Sequence, residues 1–387
     1  MSAQPLPIYL DYAATTPVDP RVVTKMAACL GRDGAYGNAA SLHSYGRQAR
    51  GLVEGARQSV AKLVGAPAQD LYWTSGATEA INLALLGLLR GSRQTQRHLI
   101  TARTEHKAVL DACRQLEREG VAVTYLPTDA QGLIDPAAVH AALGPHTVLV
   151  SILHANNEIG VVQDIAALAR ICRERGVALH VDAAQSAGKL PLDVRALGVD
   201  LLSLTAHKFY GPKGVGALYV AAERRPQLQP LLFGGGHERG LRSGTLPVHQ
   251  IVGMGAAAEV ALADMAGDTA RLEALRQRLW QGLADLPGAL LNGHPTQRLA
   301  SLLNVSFEGV EGESLLFGLP ELAVSTGSAC NSERDEPSYV LRALGRDTET
   351  AQSSLRFSLG RFTTAEDIDG AIQAVRREVL RLRKLAP

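Results

Sequence analysis

The sequence predicts an α/β fold in which a large domain with a mainly parallel central sheet flanked by helices is joined to a smaller α+β domain. Apolar, strand-like runs alternate with helical patterns between about residues 70 and 220, and this rhythm ends after Pro247. The 387 residues are enough for two or three lobes. We predict that residues 15–260 form the large domain and that residues 1–14 and 261–387 form the small one.

Apolar runs predict the strands of the central sheet, at residues 98–102, 121–126, 146–154, 177–182 and 200–206. Several are apolar throughout, as parallel strands covered on both faces usually are. Residues 164–176 predict a helix between two of them and end at Gly176. The alternation of strand and helix predicts right-handed crossovers.

The C-terminal third is predicted to contain long helices. Residues 249–265 form an alanine-rich helical pattern. Residues 364–385 predict a helix with one apolar face, made of Ile372, Val375, Val379 and Leu382.

Composition excludes several classes of protein. Hydrophobic residues make up 46% of the chain and charged residues 20%, and the 39 Lys and Arg residues nearly balance the 38 Asp and Glu residues. This balance argues against nucleic acid as a partner. No apolar run approaches the roughly 18 residues of a membrane helix, and the N-terminal residues do not predict a signal peptide. The four cysteines are far apart, without a CxxC pair, which favours a reducing cytoplasm and no structural zinc site.

Polar side chains collect where the predicted strands end. One strand ends at Asn156 and Asn157, and the others end in a group made of Asp182, Gln185, Thr205, His207 and Lys208. Ligands of open α/β sheets bind beyond the carboxyl ends of the strands. A single lysine or aspartate there would be a solvated or capping residue, but the combination predicts one shared site.

A small-residue turn provides a further part of this site. Residues 75–78, Ser-Gly-Ala-Thr, lead from an aromatic strand into an apolar helix, where backbone N–H groups and the helix dipole can bind a phosphate. A simple capped helix explains the same pattern. The chain contains neither GxxxxGK[ST] nor a strand-linked GxGxxG, which argues against a nucleotide-binding loop.

A phosphate loop, a lysine and an aspartate together suit pyridoxal 5′-phosphate. In such sites the lysine forms a Schiff base, and the aspartate pairs with the pyridinium nitrogen so that the ring accepts electrons. His106 follows another predicted strand and could stack on the ring, although a single histidine there is often only a polar residue at a helix start.

The sequence resembles the cysteine desulfurases, fold-type I pyridoxal phosphate enzymes of the class-V aminotransferase family, nearly from end to end. The motifs that carry the resemblance are "YLDYAATTPVDPRV", "TSGATEA", "EHKAVLD", "HANNEIGVVQDI", "HVDAAQS", "HKFYGPKG", "GGGHERGLRSGTLP", "STGSAC" and "LRFSLGRFTT". The resemblance implies that the large domain binds the cofactor. It also implies that the small domain carries the substrate arginine and a catalytic cysteine loop.

The resemblance assigns roles to individual residues. Lys208 would hold the cofactor, Asp182 would face the ring nitrogen, and His106, also catalytic, would lie over the ring. Gln185 and Asn157 would lie near the ring hydroxyl, with Asn157 also near the substrate. Arg356 would bind the substrate carboxylate. The phosphate would be bound by Ala77, Thr78, Thr205, His207 and Thr245 of the partner subunit in a homodimer.

Cys330 is the residue that would define the reaction. The other cysteines, Cys29, Cys113 and Cys172, lie in helical patterns and predict small buried side chains. Cys330 lies in a polar stretch before Pro337, which predicts an exposed loop, although an incidental loop cysteine is an alternative. In a desulfurase its thiolate would take sulfur from L-cysteine as a persulfide, and it could also serve as a transient iron–sulfur ligand; no other metal site is predicted.

The resemblance also implies a sulfur acceptor, such as an iron–sulfur scaffold protein. Relatives commonly have a longer C-terminal tail for that partner than "RLRKLAP". Three alternatives stay open: a selenocysteine lyase, an aminotransferase, and an assembly scaffold without activity. Cys330 should be dispensable in the first two, whereas the presence of Lys208, Asp182, Arg356 and Cys330 argues against the third.

Overall fold

The structure is a computed structural model that describes residues 6–326 and 336–385. The strands are β1 (Ile8–Tyr9), β2 (Leu71–Thr74), β3 (His98–Ala102), β4 (Ala122–Leu126), β5 (Thr147–Leu153), β6 (Ala178–Asp182), β7 (Leu201–Thr205), β8 (Gly216–Val220), β9 (Ala289–Leu291), β10 (Leu302–Phe307), β11 (Leu322–Ala323) and β12 (Ser354–Ser358). The helices are α1 (Pro20–Ala27), α2 (Ser44–Leu63), α3 (Ala77–Gly91), α4 (Lys107–Arg118), α5 (Pro136–Ala142), α6 (Ile165–Glu174), α7 (Val194–Leu197), α8 (Val248–Leu283), α9 (Gly312–Phe317), α10 (Tyr339–Ala343), α11 (Thr348–Gln352) and α12 (Ala365–Leu385).

A seven-stranded sheet with the order β2-β8-β7-β6-β5-β3-β4 forms the centre of the fold. Strands β3 to β7 are parallel, whereas β8 runs antiparallel to its neighbours β2 and β7. Apolar side chains cover both faces of this sheet and form two separate core clusters. The predicted α/β fold with a mainly parallel sheet is confirmed.

The predicted strands are confirmed as β3 to β7, with ends that differ by at most one residue. The predicted helices correspond to α6, α8 and α12, but α8 extends to Leu283, well beyond the alanine-rich pattern. Strand β8 was not predicted. The turn at residues 211–214 reverses the chain, so β8 pairs with β7 rather than continuing into a crossover helix.

A glycine in β8 brings the start of α3 close to the sheet. A Cβ atom on Gly216 would lie 2.7 Å from the Cα of Gly76 and 2.6 Å from the carbonyl oxygen of Leu204. Because real Cβ atoms do not approach so closely, only glycine allows the turn before α3 to rest on β8. This contact fixes the helix start beside the end of β7.

A second, smaller sheet has the order β12-β10-β9 and is antiparallel. Its core includes side chains from α12 and the second half of α8. Near it, β1 pairs in parallel with β11. Helix α8 runs unbroken through residue 260, so the domain boundaries stay a prediction. Within residues 6–326 and 336–385, every helix is too short or too polar to cross a membrane.

Candidate active site

A cavity of about 610 Å³ opens at the carboxyl ends of the parallel strands. Its walls include residues at or just after the ends of β3, β5, β6 and β7, the start of α3, N-terminal residues between 11 and 15, and one residue of β12. The predicted site residues that line this cavity are Ala77, Thr78, His106, Asn157, Asp182, Gln185, Thr205, His207, Lys208 and Arg356.

Two predicted residues are not placed in this cavity. Thr245 is exposed and is not among the residues that line it. Cys330 lies outside the described residues, so its role stays a prediction. The described chain does reach Ser325, which lines the cavity five positions before Cys330.

Asp182 supplies a buried carboxylate at the end of β6. The side chain is 2% exposed, and its Oδ1 accepts a hydrogen bond from the backbone N–H of Ala184 at 2.9 Å. Burial raises the pKa of Asp182, while His106 and Lys208 oppose that shift. The carboxylate is therefore placed to gain from a positively charged ligand group in the cavity.

His106 is held in one orientation at the start of α4. Its Nδ1 accepts the backbone N–H of Ala108 at 3.1 Å. Burial lowers the pKa of His106, which favours the neutral ring. Because Nδ1 is an acceptor, the neutral ring carries its proton on Nε2. His106 can thus present a donor to the cavity.

Lys208 follows β7 and lies against the N-terminal segment of the chain. Its Nζ donates to the carbonyl oxygen of Ala13 at 2.5 Å and to that of Ala14 at 2.7 Å. These two carbonyl groups hold the amine at the edge of the cavity. Sequence analysis did not identify them, because a main-chain acceptor leaves no side-chain signal.

The start of α3 forms the anion-binding end of the cavity. No side chain of the described chain caps this helix at Gly76, so its first N–H groups stay available. Thr205 lies opposite, where its Oγ1 donates to the carbonyl oxygen of Val215 at 3.3 Å. His207 Nδ1 lies 3.2 Å from Thr15 Oγ1, and burial lowers the pKa of His207 to about 4. The His207 ring is therefore neutral at physiological pH.

Arg356 reaches the cavity from β12 and is 4% exposed. One Nη atom donates to Asp11 Oδ1 at 2.6 Å and the other to the carbonyl oxygen of Asn157 at 3.0 Å. Within the described chain its buried Nε has no hydrogen-bond partner. Because Arg356 lines the cavity and each Nη carries a second N–H, a ligand carboxylate could bind it beside Asp11, a neighbour that sequence analysis missed.

The two asparagines after β5 have different roles. Asn157 lines the cavity, as predicted. Asn156 instead holds its own turn, because its Nδ2 donates to the carbonyl oxygen of Thr104 and its Oδ1 accepts the N–H groups of Glu158 and Ile159. Asn156 is a structural residue.

Comparison with known proteins identifies the family of this chain. The model of the family described as "Aminotransferase class-V" matches residues 8–370. The chain belongs to the class-V aminotransferase family. It is 58% identical to a protein named "Cysteine desulfurase IscS" of Pectobacterium atrosepticum, over 99% of this chain and 95% of that protein. The corresponding protein of Shewanella woodyi is 57% identical with the same coverage.

Solved structures of other proteins share the fold. A "NifS-like protein" superposes with a TM-score of 0.91 at 36% identity and covers 97% of this chain and 100% of its own. A structure described as "SspA in complex with cysteine" has a TM-score of 0.81 at 37% identity, with 92% of this chain and 99% of that chain covered.

Enzymes of this class-V family use pyridoxal phosphate, and the cavity residues suit that cofactor. The uncapped start of α3 can bind a phosphate, and the buried Asp182 carboxylate can face a protonated ring nitrogen. Lys208 places an amine at the wall of the same cavity.

Proposed function

We propose that the protein is a cysteine desulfurase that uses pyridoxal 5′-phosphate to convert L-cysteine into L-alanine and leaves the sulfur as a persulfide on Cys330. The observation that carries this proposal is one cavity that joins the amine of Lys208, the buried carboxylate of Asp182 and the guanidinium of Arg356. The names and identities of the full-length relatives support the same reaction.

The protein's own residues would prepare the substrate and the cofactor. Arg356 binds the substrate carboxylate through its fork of N–H donors. Asp182 and Lys208 hold the ring and the aldehyde end of the cofactor, and Ala77, Thr78, Thr205 and His207 hold its phosphate. When bound, pyridoxal phosphate would supply an electron sink at the substrate carbon.

The sulfur transfer balances without an added oxidant. The Cys330 thiolate forms a bond to the sulfur of the substrate while the carbon–sulfur bond breaks. The electron pair of that bond goes to carbon, which gains a proton and becomes the methyl group of alanine. His106 presents Nε2–H as a donor at this side of the cavity. The products are one alanine and one enzyme persulfide.

The described cysteines are poor candidates for this nucleophile. Cys29, Cys113 and Cys172 are each at most 5% exposed. Burial raises the pKa of all three thiols, that of Cys172 to about 12. Because the thiolate is the reactive form, these thiols would be almost entirely unreactive at neutral pH.

The direct experiment is to incubate the purified protein with L-cysteine and a thiol reductant and to measure alanine and sulfide. Equal amounts of both are expected. Pyruvate and ammonia in place of alanine would indicate a lyase reaction and contradict the proposal. Turnover of L-selenocysteine that survives Cys330→Ser, without turnover of L-cysteine, would favour the selenocysteine lyase.

We further propose a homodimer in which Thr245 binds the phosphate in the partner's cavity. Thr245 is exposed, and large apolar side chains such as Leu42 and Phe233 are 81% and 84% exposed on the single chain.

The small domain would carry Arg356 and Cys330, and residues 15–260 would form the cofactor domain. A scaffold protein in the cytoplasm would accept the sulfur.

Subunit exchange tests the shared site. A hybrid of Lys208→Ala and Thr245→Ala subunits contains one site with both Lys208 and Thr245 intact only if Thr245 acts across the dimer. Mixing the inactive Lys208→Ala with Thr245→Ala should then give hybrids in which one of the two sites has wild-type composition and activity above that of either unmixed variant. Hybrids that form but whose activity never exceeds that of the unmixed variants would show that Thr245 does not act in this way.

A further inference from the structure

A second half-buried lysine lies behind the wall of the cavity. Lys189 belongs to the turn that follows β6, four residues after Gln185. Its Nζ donates to Gln185 Oε1 at 2.9 Å. The lysine itself is not among the residues that line the main cavity, whereas Gln185 is. Any influence of Lys189 on a ligand must therefore pass through Gln185 or through its charge.

Gln185 connects this lysine to the site of Lys208. Gln185 is 3% exposed, and its Nε2 donates to the carbonyl oxygen of Ala13 at 2.8 Å. The same carbonyl oxygen accepts from Lys208 Nζ at 2.5 Å. The two lysines are thus joined by one amide and one carbonyl group.

The hydrogen-bond partners allow only one orientation of the Gln185 amide. Its oxygen faces a donor, Lys189, and its NH2 group faces an acceptor, the Ala13 carbonyl. A flipped amide would set its oxygen against the Ala13 carbonyl oxygen and lose that hydrogen bond, and it would also lose the bond to Lys189 whenever that amine is protonated. The Ala13 carbonyl uses one N–H of the amide, which leaves the second N–H for a ligand.

We propose that Lys189 is a positioning residue that holds Gln185 so that its NH2 group, not its oxygen, is offered to an anionic oxygen of a ligand in the cavity. The proposal rests on the proposed function, because that oxygen would be the ring oxygen of bound pyridoxal phosphate. A donor stabilises the ionised ring oxygen, whereas an amide oxygen would repel it.

The electrostatic surroundings support this role. Burial, and then the nearby cations Lys208 and Arg356, lower the pKa of Lys189 to about 7. Its hydrogen bond goes to a neutral amide rather than to a carboxylate. The surroundings destabilise the charged form of this lysine, and lysines with such strongly shifted pKa values are often found at functional sites.

Other titratable groups lie on the far side of Lys189. Tyr12, Tyr210 and Asp268 line a small cavity of about 30 Å³ with it. Asp268 is paired with Arg361 at 2.9 Å, so its charge is largely balanced there. The positive charge of Lys189 also contributes to the lowered pKa of His207.

A double-mutant cycle on the holoenzyme, without substrate, tests the proposal. The variants are Lys189→Met, Gln185→Leu and the two combined, with the exposed Lys62→Met as a control. The measurements are the absorbance band of bound pyridoxal phosphate between pH 6 and 9 and the rate of cofactor loss on dialysis. Lys189→Met should change the band and speed cofactor loss about tenfold, equivalent to about 1.4 kcal/mol. In the Gln185→Leu background, Lys189→Met should speed cofactor loss by no more than about a further twofold.

Lys189→Arg, which keeps a charged donor, should restore most of the wild-type spectrum. If Lys189→Met does not fold, Lys189→Leu replaces it with the same expected result, because leucine also lacks a hydrogen-bond donor. An unchanged absorbance band together with a rate of cofactor loss within twofold of wild type would overturn the proposal. It would also be overturned if Lys189→Met had its full effect in the Gln185→Leu background. Failure of the wild type to hold cofactor or to release alanine would instead contradict the proposed function.

Discussion

The two edges of the central sheet carry glutamates whose pKa values are shifted in opposite directions. At the carboxyl edge, Glu105 and Glu158 follow β3 and β5, and burial raises the pKa of both, that of Glu158 to about 7. At the amino edge, Glu119 precedes β4, and Arg90 holds its pKa down at about 2. The same residue type is thus kept charged at one edge and pushed towards neutrality at the other.

Burial explains the raised pKa values at the carboxyl edge, and the charged partner explains the lowered pKa of Glu119. At the amino edge, Arg90 binds Glu119 with two hydrogen bonds of 2.6 and 3.0 Å, and Arg224 binds Asp200 at 2.9 Å. At the carboxyl edge, Glu158 accepts from the hydroxyl of Ser338 at 2.5 Å. A neutral hydroxyl donor offsets less of the desolvation cost of a buried carboxylate than a charged guanidinium does.

The comparison teaches where burial outweighs ion pairing in setting the charge of a carboxyl group. Asp70 is an exception at the amino edge, because burial raises its pKa despite Arg225 at 3.8 Å. At the carboxyl edge, Lys208 rests on carbonyl groups, and Asp182 is opposed only in part by its neighbours. We propose that charges at the amino edge mainly stabilise the fold and that Asp182 and Lys208 at the carboxyl edge are arranged for a ligand.

The largest effect is expected from Lys208→Ala, because this change removes the amine at the centre of the carboxyl edge. Alanine formation from L-cysteine should fall at least about a thousandfold, or about 4 kcal/mol of barrier. The variant should still bind pyridoxal phosphate, since the phosphate residues and Asp182 are unchanged. Substantial alanine production by the variant would reject the role of Lys208.

Arg356→Ala should have the next largest effect. The loss of one partner from a buried charge pair costs about 2–5 kcal/mol, so kcat/KM for L-cysteine should fall by about 30-fold to several-thousand-fold. Cofactor content should barely change. The matched control is Arg224→Ala at the amino edge, which also loses an aspartate partner but should keep kcat/KM within about twofold. Equal losses in both variants would break the distinction between the edges.

Glu158→Gln should change the pH dependence of stability. Burial raises the pKa of Glu158 from 4.5 to about 7, so the folded state favours its protonated form. Its stabilising contribution is complete below about pH 4.5 and is lost as pH rises through 7, a fall of about 3 kcal/mol. Urea unfolding at pH 5 and pH 8 should show a smaller difference in the variant than in the wild type.

Glu119→Gln provides the opposite case and the smallest effect. The lowered pKa of Glu119 means that its contribution is present above pH 4.5 and is lost as pH falls towards 2. Its side chain is 26% exposed, so the pair with Arg90 should contribute less than about 1 kcal/mol. A flatter unfolding profile between pH 5 and 8 in this variant would contradict the comparison.

Much of the carboxyl edge could be predicted from the sequence, because strand periodicity shows where side chains such as Asp182 and Lys208 leave the sheet. The resemblance added residues that no local pattern brings together, such as Arg356, which lies on a different sheet. Asp11 and the carbonyl groups of Ala13 and Ala14 could not be predicted, since their roles depend on how the N-terminal segment crosses the cavity. Strand β8 was missed because five residues with two small side chains give little apolar signal.

Locating the transferred sulfur tests the central claim most directly. The wild-type protein is treated with L-cysteine in the absence of reductant, digested and analysed by mass spectrometry. The account predicts one extra sulfur atom on Cys330 and none in Cys330→Ser, which should keep the bound cofactor but release sulfide at least about a hundredfold more slowly. An extra sulfur on Cys29, Cys113 or Cys172, with Cys330 unmodified, would contradict the account.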